Sequence, residues 1–362
     1  MKFELGQVCS RLSSGKGIPA NQVFDSGKYP VYGGNGLRGY TDYSNFEGEC
    51  AIIGRQGAFC GNVRFFSGKA YMTEHAVVVC ANEYNNTRYL AYLLSTMNLG
   101  RLSGQSAQPG LSVKTLAKQE LELPTLETQN KIVSILASLD DKIGLNQRIN
   151  ENLLQQAQAL YKDRFIDMNP FNGTMPMDWH QGTVSEIIEL HDSKRIPLSS
   201  RERADLAKVY PYYGATSIMD YVDRYLFDGI YLLLGEDGTV ADSKGFPILQ
   251  YVYGRFWVNN HAHIITGKNG FSVELLYLLF SLTSVQSIIT GAVQPKISQA
   301  NLNKVPVAIP SKKELQTLDA TIQPIFAQIR NLRDENEKLA ATRDTLLPKL
   351  MSGELDVSAL DL

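Results

Sequence analysis

Two short turns carry the side chains best suited to reading chemistry from a ligand. Gly54-Arg55-Gln56-Gly57 follows the apolar run Cys50-Ala51-Ile52-Ile53, and Gly235-Glu236-Asp237-Gly238 follows Leu234. Arginine offers a fork to the guanine edge, glutamine to the adenine edge, and a carboxylate accepts from cytosine N4. Arg55, Gln56, Glu236 and Asp237 are therefore candidates for direct base contact. The plainer reading is that both are tight turns in a strand-rich chain. A phosphate cradle is poorly supported, because neither turn continues into Gly-Lys-Ser/Thr or opens a helix as a full G-x-G-x-x-G. Tyr213, Thr216 and Ser217 lie beyond another turn and are further loop candidates. Groups that would grip a sugar-phosphate backbone without reading sequence are Arg38, Tyr40, Arg64, Lys69 and Lys114, then Lys194, Arg195, Lys244, Arg255 and Lys296. Each could equally be a solvated surface group. His75 and His261 precede apolar strands and are expected to be buried and hydrogen-bonded.

Catalysis finds no home in the chain. A DNA adenine methyltransferase needs Asn/Asp-Pro-Pro-Tyr/Phe, and Asn169-Pro170-Phe171 lacks the second proline. Asp237, Asp242 and Lys244 lack the strand spacing of a nuclease metal site, and no metal is expected. Cys9, Cys50, Cys60 and Cys80 show no C-x-x-C spacing and read as reduced, half-buried core residues of a cytoplasmic protein. The N-terminus lacks a signal peptide's pattern, and no apolar run approaches the roughly 18–20 residues of a membrane span. With 362 residues the chain can fill two ordinary domains. A formal net charge of −2 argues against nonspecific polyanion binding by bulk charge, though not against a local basic cleft.

The elements that must position these side chains occur twice. Leu136, Leu139, Ile143, Asn146, Asn150, Leu153, Ala157 and Leu160 follow the steps of 3 and 4 that form one helical stripe. Ile322, Ile325, Ile329, Leu332, Asn336, Leu339, Arg343 and Leu346 repeat it at a constant offset of 186 residues. Tyr210-Pro211-Tyr212-Tyr213-Gly214 repeats Tyr29-Pro30-Val31-Tyr32-Gly33 at 181, as do the two glycine turns. Asn260-His261-Ala262 repeats Glu74-His75-Ala76 at 186, which places about five extra residues near Ser243 to Tyr253. Gln294-Pro295-Lys296-Ile297-Ser298 likewise repeats Gln108-Pro109-Gly110-Leu111-Ser112. The halves share glycines, prolines, strands and the helix but not the polar residues beside the turns.

The order is a mixed, strand-rich domain (1–126), a long helix (127–168), a second such domain (169–311) and a second helix with a tail (312–362). The fold class is α+β, a tandem duplication. Its helices are expected to pack as an antiparallel coiled coil with pseudo-twofold symmetry. Leu136, Leu139, Ile143, Asn150, Leu153, Leu160, Ile325, Ile329, Leu332, Asn336, Leu339 and Leu346 would make the seam. Pro324 should start or bend the second helix. Asn150 and Asn336 share a stripe position, where a buried polar residue can fix register, or both face solvent. Forty helical residues reach roughly 60 Å, against about 34 Å for a turn of B-DNA.

These features resemble the DNA specificity (S) subunit of Type I restriction-modification systems. The carrying residues are the Tyr-Pro-x-Tyr-Gly runs at 29–33 and 210–214, the turns at 54–57 and 235–238, and His75-Ala76 with His261-Ala262. To these add the Gln-Pro-x-x-Ser loops, Pro124 and Pro310 ahead of Gln129 and Gln316, and the closing Leu347-Pro348-Lys349-Leu350-Met351-Ser352-Gly353-Glu354-Leu355. Each motif is short; their order, repeated once, is specific. The resemblance implies a non-catalytic protein that reads a bipartite target in double-stranded DNA with two target-recognition domains. It also implies docking of two methyltransferase (modification) subunits, with restriction subunits joining that core. No cofactor would bind this chain, while S-adenosylmethionine, ATP and magnesium would belong to the partners. Two other readings stay open: a two-headed coiled-coil interaction scaffold that binds no DNA, and a nucleotide-binding enzyme using the glycine turns.

Overall fold

The computed structural model describes residues 1–103, 110–291 and 293–360. Gln108 and Pro109 of the first Gln-Pro loop lie outside the described residues. The chain divides into two compact units, Met1–Leu145 with Glu335–Leu362, and Asn146–Asp334. Each unit takes one domain and a stretch of both long helices.

The first unit contains β1 (Lys2–Glu4), β2 (Cys9–Ser14), β3 (Tyr29–Gly33), β4 (Gly36–Thr41), β5 (Phe46–Gly54), β6 (Val63–Met72) and β7 (Ala76–Ala81). After them come α1 (Thr87–Ser95), α2 (Val113–Ala117), β8 (Glu120–Glu122) and the opening of α3 (Leu126–Tyr161). Six strands form one sheet in the order β2-β7-β5-β6-β3-β4, while β1 pairs with β8. Neighbours run antiparallel except β3 and β6. Central strands β5 and β7 are covered on both faces, which explains their unbroken apolar runs. On one face α1 buries Tyr89, Leu90 and Leu94 against Ala51, Ile53, Val77 and Val79. The other face holds Phe46, Cys50, Ile52, Met72 and Val78. The Asn86 side chain caps α1 by accepting from the Tyr89 N–H at 3.0 Å.

The second unit repeats the plan with β9 (His180–Thr183), β10 (Ile188–Leu190), the extra short α4 (Ser200–Ala204), β11 (Tyr210–Tyr213) and β12 (Ile218–Val222). Then come β13 (Phe227–Gly235), β14 (Leu249–Val258), β15 (Ala262–Gly267), α5 (Val273–Ser281), α6 (Gln299–Leu302), β16 (Pro306–Ile309) and α7 (Lys312–Ser352). Its sheet order, β10-β15-β13-β14-β11-β12, matches the first strand for strand. The extra residues fall within 239–248, just ahead of β14, rather than running on to Tyr253. Four free cysteines are confined to the first domain, and burial pushes the Cys9 and Cys50 thiols up to about 12.

Within each unit α3 and α7 run antiparallel. In the first, Asp140 accepts from Arg343 at 2.9 Å and the Ile143 carbonyl from Asn336 at 3.4 Å. In the second, Arg164, in the helical turn that extends α3, pairs with Glu314. Leu136, Ile329 and Leu332 are buried, and Leu139, Ile143, Asn150, Leu153, Ile325, Asn336, Leu339 and Leu346 are half-buried. Leu160 is a correction: it is exposed, and Ala157, Tyr161 and Phe165 make the packing there instead. The stripe drifts because a straight helix turns once per 3.6 residues, not 3.5. Pro324 is a second correction as a helix start, since α7 begins at Lys312 and runs through it. The flanking apolar residues Ile322 and Phe326 are fully buried, and that packing outweighs one lost helical hydrogen bond.

The two domains lock onto their helices with opposite charge. Arg88 of α1 bonds Asp141 of α3 at 2.8 Å and lies 4.9 Å over the Phe65 ring. At the matched position, 186 residues on, stands Glu274 of α5, accepting from Tyr251 at 2.7 Å and from Arg330 of α7 at 3.2 Å. Burial and then Glu274 push the Tyr251 hydroxyl well above its ordinary range. Asp141 is largely exposed, so solvent screens the first lock. A double-mutant cycle with Arg88→Ala and Asp141→Ala should return a coupling of about 0.5–1 kcal/mol by denaturant titration. A coupling of zero would remove the lock.

Candidate nucleic-acid interface

In the first domain three turns meet at the sheet edge: 33–38 between β3 and β4, 54–57 after β5, and 73–75 between β6 and β7. Backbone bonds stitch them, from the Thr73 N–H to Tyr32 O (2.9 Å), Arg55 N–H to His75 O (2.9 Å) and Leu111 N–H to Arg55 O (2.8 Å). The approach is so close that glycine is required. A Cβ on Gly54 would sit 2.6 Å from the Gly34 carbonyl oxygen, and one on Gly34 would sit 2.9 Å from that of His75. Between the turns opens a cleft of about 530 Å³, lined by Gly33, Gly34, Asn35, Arg38, Gln56, Gly57 and His75.

The second domain reproduces the same frame bond for bond. The Asn259 N–H donates to Tyr213 O (3.0 Å), Glu236 N–H to His261 O (2.8 Å) and Ile297 N–H to Glu236 O (2.8 Å). These donors and acceptors stand 181 or 186 residues after their counterparts. Even the isolated bridge Gln56↔Gly110 recurs as Asp237↔Lys296. Only the side chains differ. Where the first frame presents Asn35, Arg38, Arg55 and Gln56, the second presents Thr216, Met219, Glu236 and Asp237.

These candidates differ in how free they are. Arg38 and Gln56 are exposed at the cleft, while the half-buried Arg55 leans on the Glu74 carbonyl at 3.5 Å. Arg64 is exposed and bonds Asn35 O at 3.4 Å, and Tyr40 bridges Phe24 through its backbone. Lys69 pairs with Glu47 at 3.1 Å, and Lys114 is exposed on α2. In the second domain Lys194, Thr216, Ser217 and Lys244 are exposed. Tyr213 stacks edge-on against Phe256, and Arg255 pairs with Asp228 at 3.1 Å and covers Tyr225. Asp237 pairs with His261. Both His75 and His261 correct the expectation of burial: each side chain is about two-fifths exposed (41% and 44%), and each meets a carboxylate, Glu74 and Asp237 respectively. Both turns lie at the rim of the sheet, where a histidine can pair with a carboxylate and remain wet.

The fully buried histidine is His263, which the sequence reading did not single out. Its Nδ1 lies 2.6 Å from Asp192 Oδ2, and its Nε2 lies 2.8 Å from the Ile297 carbonyl. Asp192 also accepts from the Ile264 N–H (2.9 Å) and Gln299 (2.5 Å). Burial opposes its charge, but the bonds from His263, Ile264 and Gln299 prevail and hold its carboxyl below the ordinary range. Glu236 joins through Arg195 at 2.5 Å and Lys296 at 3.3 Å. Asp192, Glu236 and His263 bring ligand atoms within 4.8 Å of one another. The Arg195 guanidinium and the Lys296 ammonium already supply the positive charge a metal would bring. The network is therefore structural and fixes the turn bearing Glu236. In the sheet register His263 faces Leu234 as Val77 faces Ile53. A histidine where the other copy has valine was the signal available in the sequence.

The comparisons with known proteins agree with this geometry. A family model described as the Type I restriction modification DNA specificity domain matches residues 1–155 and 176–341. The Type I restriction enzyme EcoprrI specificity subunit of Escherichia coli is 40% identical over 140 residues, 38% of this chain and 35% of that protein. The MjaIX specificity subunit of Methanocaldococcus jannaschii is 26% identical over 305 residues, 76% of this chain and 70% of that protein. The match thus spans about a third of the first relative's length and more than two-thirds of the second's. A crystal structure of a Type I restriction-modification S subunit from M. genitalium shares the fold, with a TM-score of 0.61 at 17% identity, covering 97% of this chain and 95% of that one.

Proposed function

The chain belongs to the Type I restriction modification DNA specificity family, and from that premise we propose that it reads a two-part DNA target, one part with each domain. The observation that carries this is the shared backbone frame presenting different side chains at matched cleft positions. Different polar side chains on one repeated frame are what two readers of different base sequences require. Arg55, Gln56, Tyr213, Thr216, Ser217, Glu236 and Asp237 are assigned to base or loop contact, and Arg38, a backbone candidate in the sequence, lines the first-domain cleft beside Gln56. Tyr40, Arg64, Lys69, Lys114, Lys194, Arg195, Lys244, Arg255 and Lys296 are assigned to the phosphate backbone, which positions the protein without reading sequence. Arg195 and Lys296 do so only as far as their pairing with Glu236 allows.

The chain itself performs no catalysis in this proposal. Methyltransferase and restriction subunits dock on it in the cytoplasm and bring S-adenosylmethionine, ATP and magnesium. No helix among the described residues is long and apolar enough to cross a membrane.

Coexpression with a cognate methyltransferase, followed by mapping of methylated adenines by long-read sequencing, is expected to give a split motif with a constant gap. Exchanging residues 1–126 for the first domain of another family member should change one half of that motif and leave the other intact. If both halves changed, the two-domain reading would be wrong. Binding of the complex to duplex DNA should also weaken steeply with salt, and absence of any sequence preference at every salt would sink the proposal.

A further inference from the structure

We propose that Arg38 and Met219, which occupy the same position in the two domains, are a matched pair of specificity-determining residues, Arg38 reading a guanine and Met219 the methyl group of a thymine. This inference rests on the DNA-reading function proposed above. The equivalence comes from the strand register. Tyr29 faces Thr41 and Tyr32 faces Leu37 across a bulge in the first domain, as Tyr210 faces Val222 and Tyr213 faces Ile218 across a bulge in the second. Residues 38 and 219 sit at the bulge on the outer strand. A bulge there re-aims a side chain that regular pairing would direct elsewhere. In both domains it folds back over the first glycine of the facing turn. A Cβ on Gly33 would come within 2.7 Å of Arg38 Cδ, and one on Gly214 would strike the thioether of Met219.

The chemistry then differs sharply. Arg38 is exposed, lines the cleft beside Gln56 and His75, and makes no hydrogen bond or ion pair among the described residues. The neighbouring arginines each make one long hydrogen bond to a backbone carbonyl, Arg55 to Glu74 at 3.5 Å and Arg64 to Asn35 at 3.4 Å. A guanidinium with its donors free at the cleft matches the O6 and N7 acceptors of guanine. Met219 is 56% exposed, and its sulfur takes a hydrogen bond from Asn259 Nδ2 at 3.2 Å. A thioether has no donor for a phosphate, so what it offers an incoming duplex is a soft apolar surface for a C5 methyl group.

The test uses the full chain with its methyltransferase subunits and reads the motif by methylation mapping. Arg38→Ala should relax one guanine position in one half of the motif, lowering discrimination there by about 5- to 150-fold, and leave the other half unchanged. Arg38→Lys should relax the same position, because a point charge keeps a phosphate contact but not the two-pronged one. Met219→Ala should relax a thymine position in the other half only. An unchanged motif in Arg38→Lys, or an even loss over all sites in Arg38→Ala, would make Arg38 a phosphate anchor and overturn the assignment. Should methylation vanish in a variant, selection of bound duplexes from a randomised library decides the same question, since a retained guanine preference refutes the proposal. Absence of any split motif in the unaltered protein would instead refute the proposed function.

Discussion

Replacing Asp192 with alanine is expected to destabilise the second unit by about 3–5 kcal/mol, the range for removing one partner from a buried ion pair. The carboxylate satisfies His263, the Ile264 N–H and Gln299 at once, and the 3.5 Å contact with Arg195 adds a fourth partner. Alanine would strand all of them in a site where His263 is wholly inaccessible. Trp179 and Trp257, the only tryptophans, both lie in this unit, so their fluorescence in a denaturant titration follows it selectively. A loss under about 1 kcal/mol would mean that water enters the network and replaces the carboxylate. The pH dependence has a definite sign. The folded carboxyl titrates below its ordinary value of about 3.9. Its contribution is therefore complete above that value and lost as pH falls through the folded one. Asp192→Asn should remove this acid-side loss, and parallel pH profiles for the two proteins would contradict the assignment.

Gly54→Ala should cost the first unit about 3 kcal/mol or more and blur or abolish one half of the DNA motif. The new methyl group would meet two backbone carbonyl oxygens, those of Phe59 and Gly34. Backbone carbonyls cannot swing aside as the end of a flexible side chain can, so the turns themselves must shift. Gly57→Ala is the control. Its φ of +78° strains any side chain, but nothing lies within 4 Å of an added Cβ, so about 1 kcal/mol is expected. Hydrogen exchange at the Thr73, Arg55 and Leu111 amides checks both, with protection lost in Gly54→Ala and largely kept in Gly57→Ala. Equal effects would show that backbone conformation, not close approach, is what glycine supplies here. The tryptophan signal of the second unit should not move in either variant.

Much of this molecule is written in its periodicities. The constant offsets between Leu136 and Ile322, Gly33 and Gly214, and Gln108 and Gln294 revealed the duplication before any coordinate was known. Side-chain spacing and glycine placement are local properties, and local sterics determine turns and helical stripes. The family resemblance followed from their order. Leu160 and Pro324 mark where local reasoning ended. A stripe read in steps of 3 and 4 cannot say when it has rotated out of its seam, and a proline's cost cannot be weighed without the packing of Ile322 and Phe326.

The site was legible only in part. Glycine turns pointed to this rim, but the sequence assigned Arg55 to a base and Arg38 to the phosphate backbone, and gave Lys296 and Lys244 equal standing. Tertiary structure distinguished them by their partners: Arg55 makes one long hydrogen bond to a carbonyl and Lys296 pairs with Glu236, whereas Arg38 lies open at the cleft. His263 was invisible as a structural centre because its partners, Asp192, Gln299 and the Ile297 carbonyl, come from segments far apart in the chain. The sequence by itself determined that one scaffold is built twice, since repetition is a property of a string. Only the folded chain decided which of its polar residues are spent on holding that scaffold, because hydrogen-bond partners are a property of space.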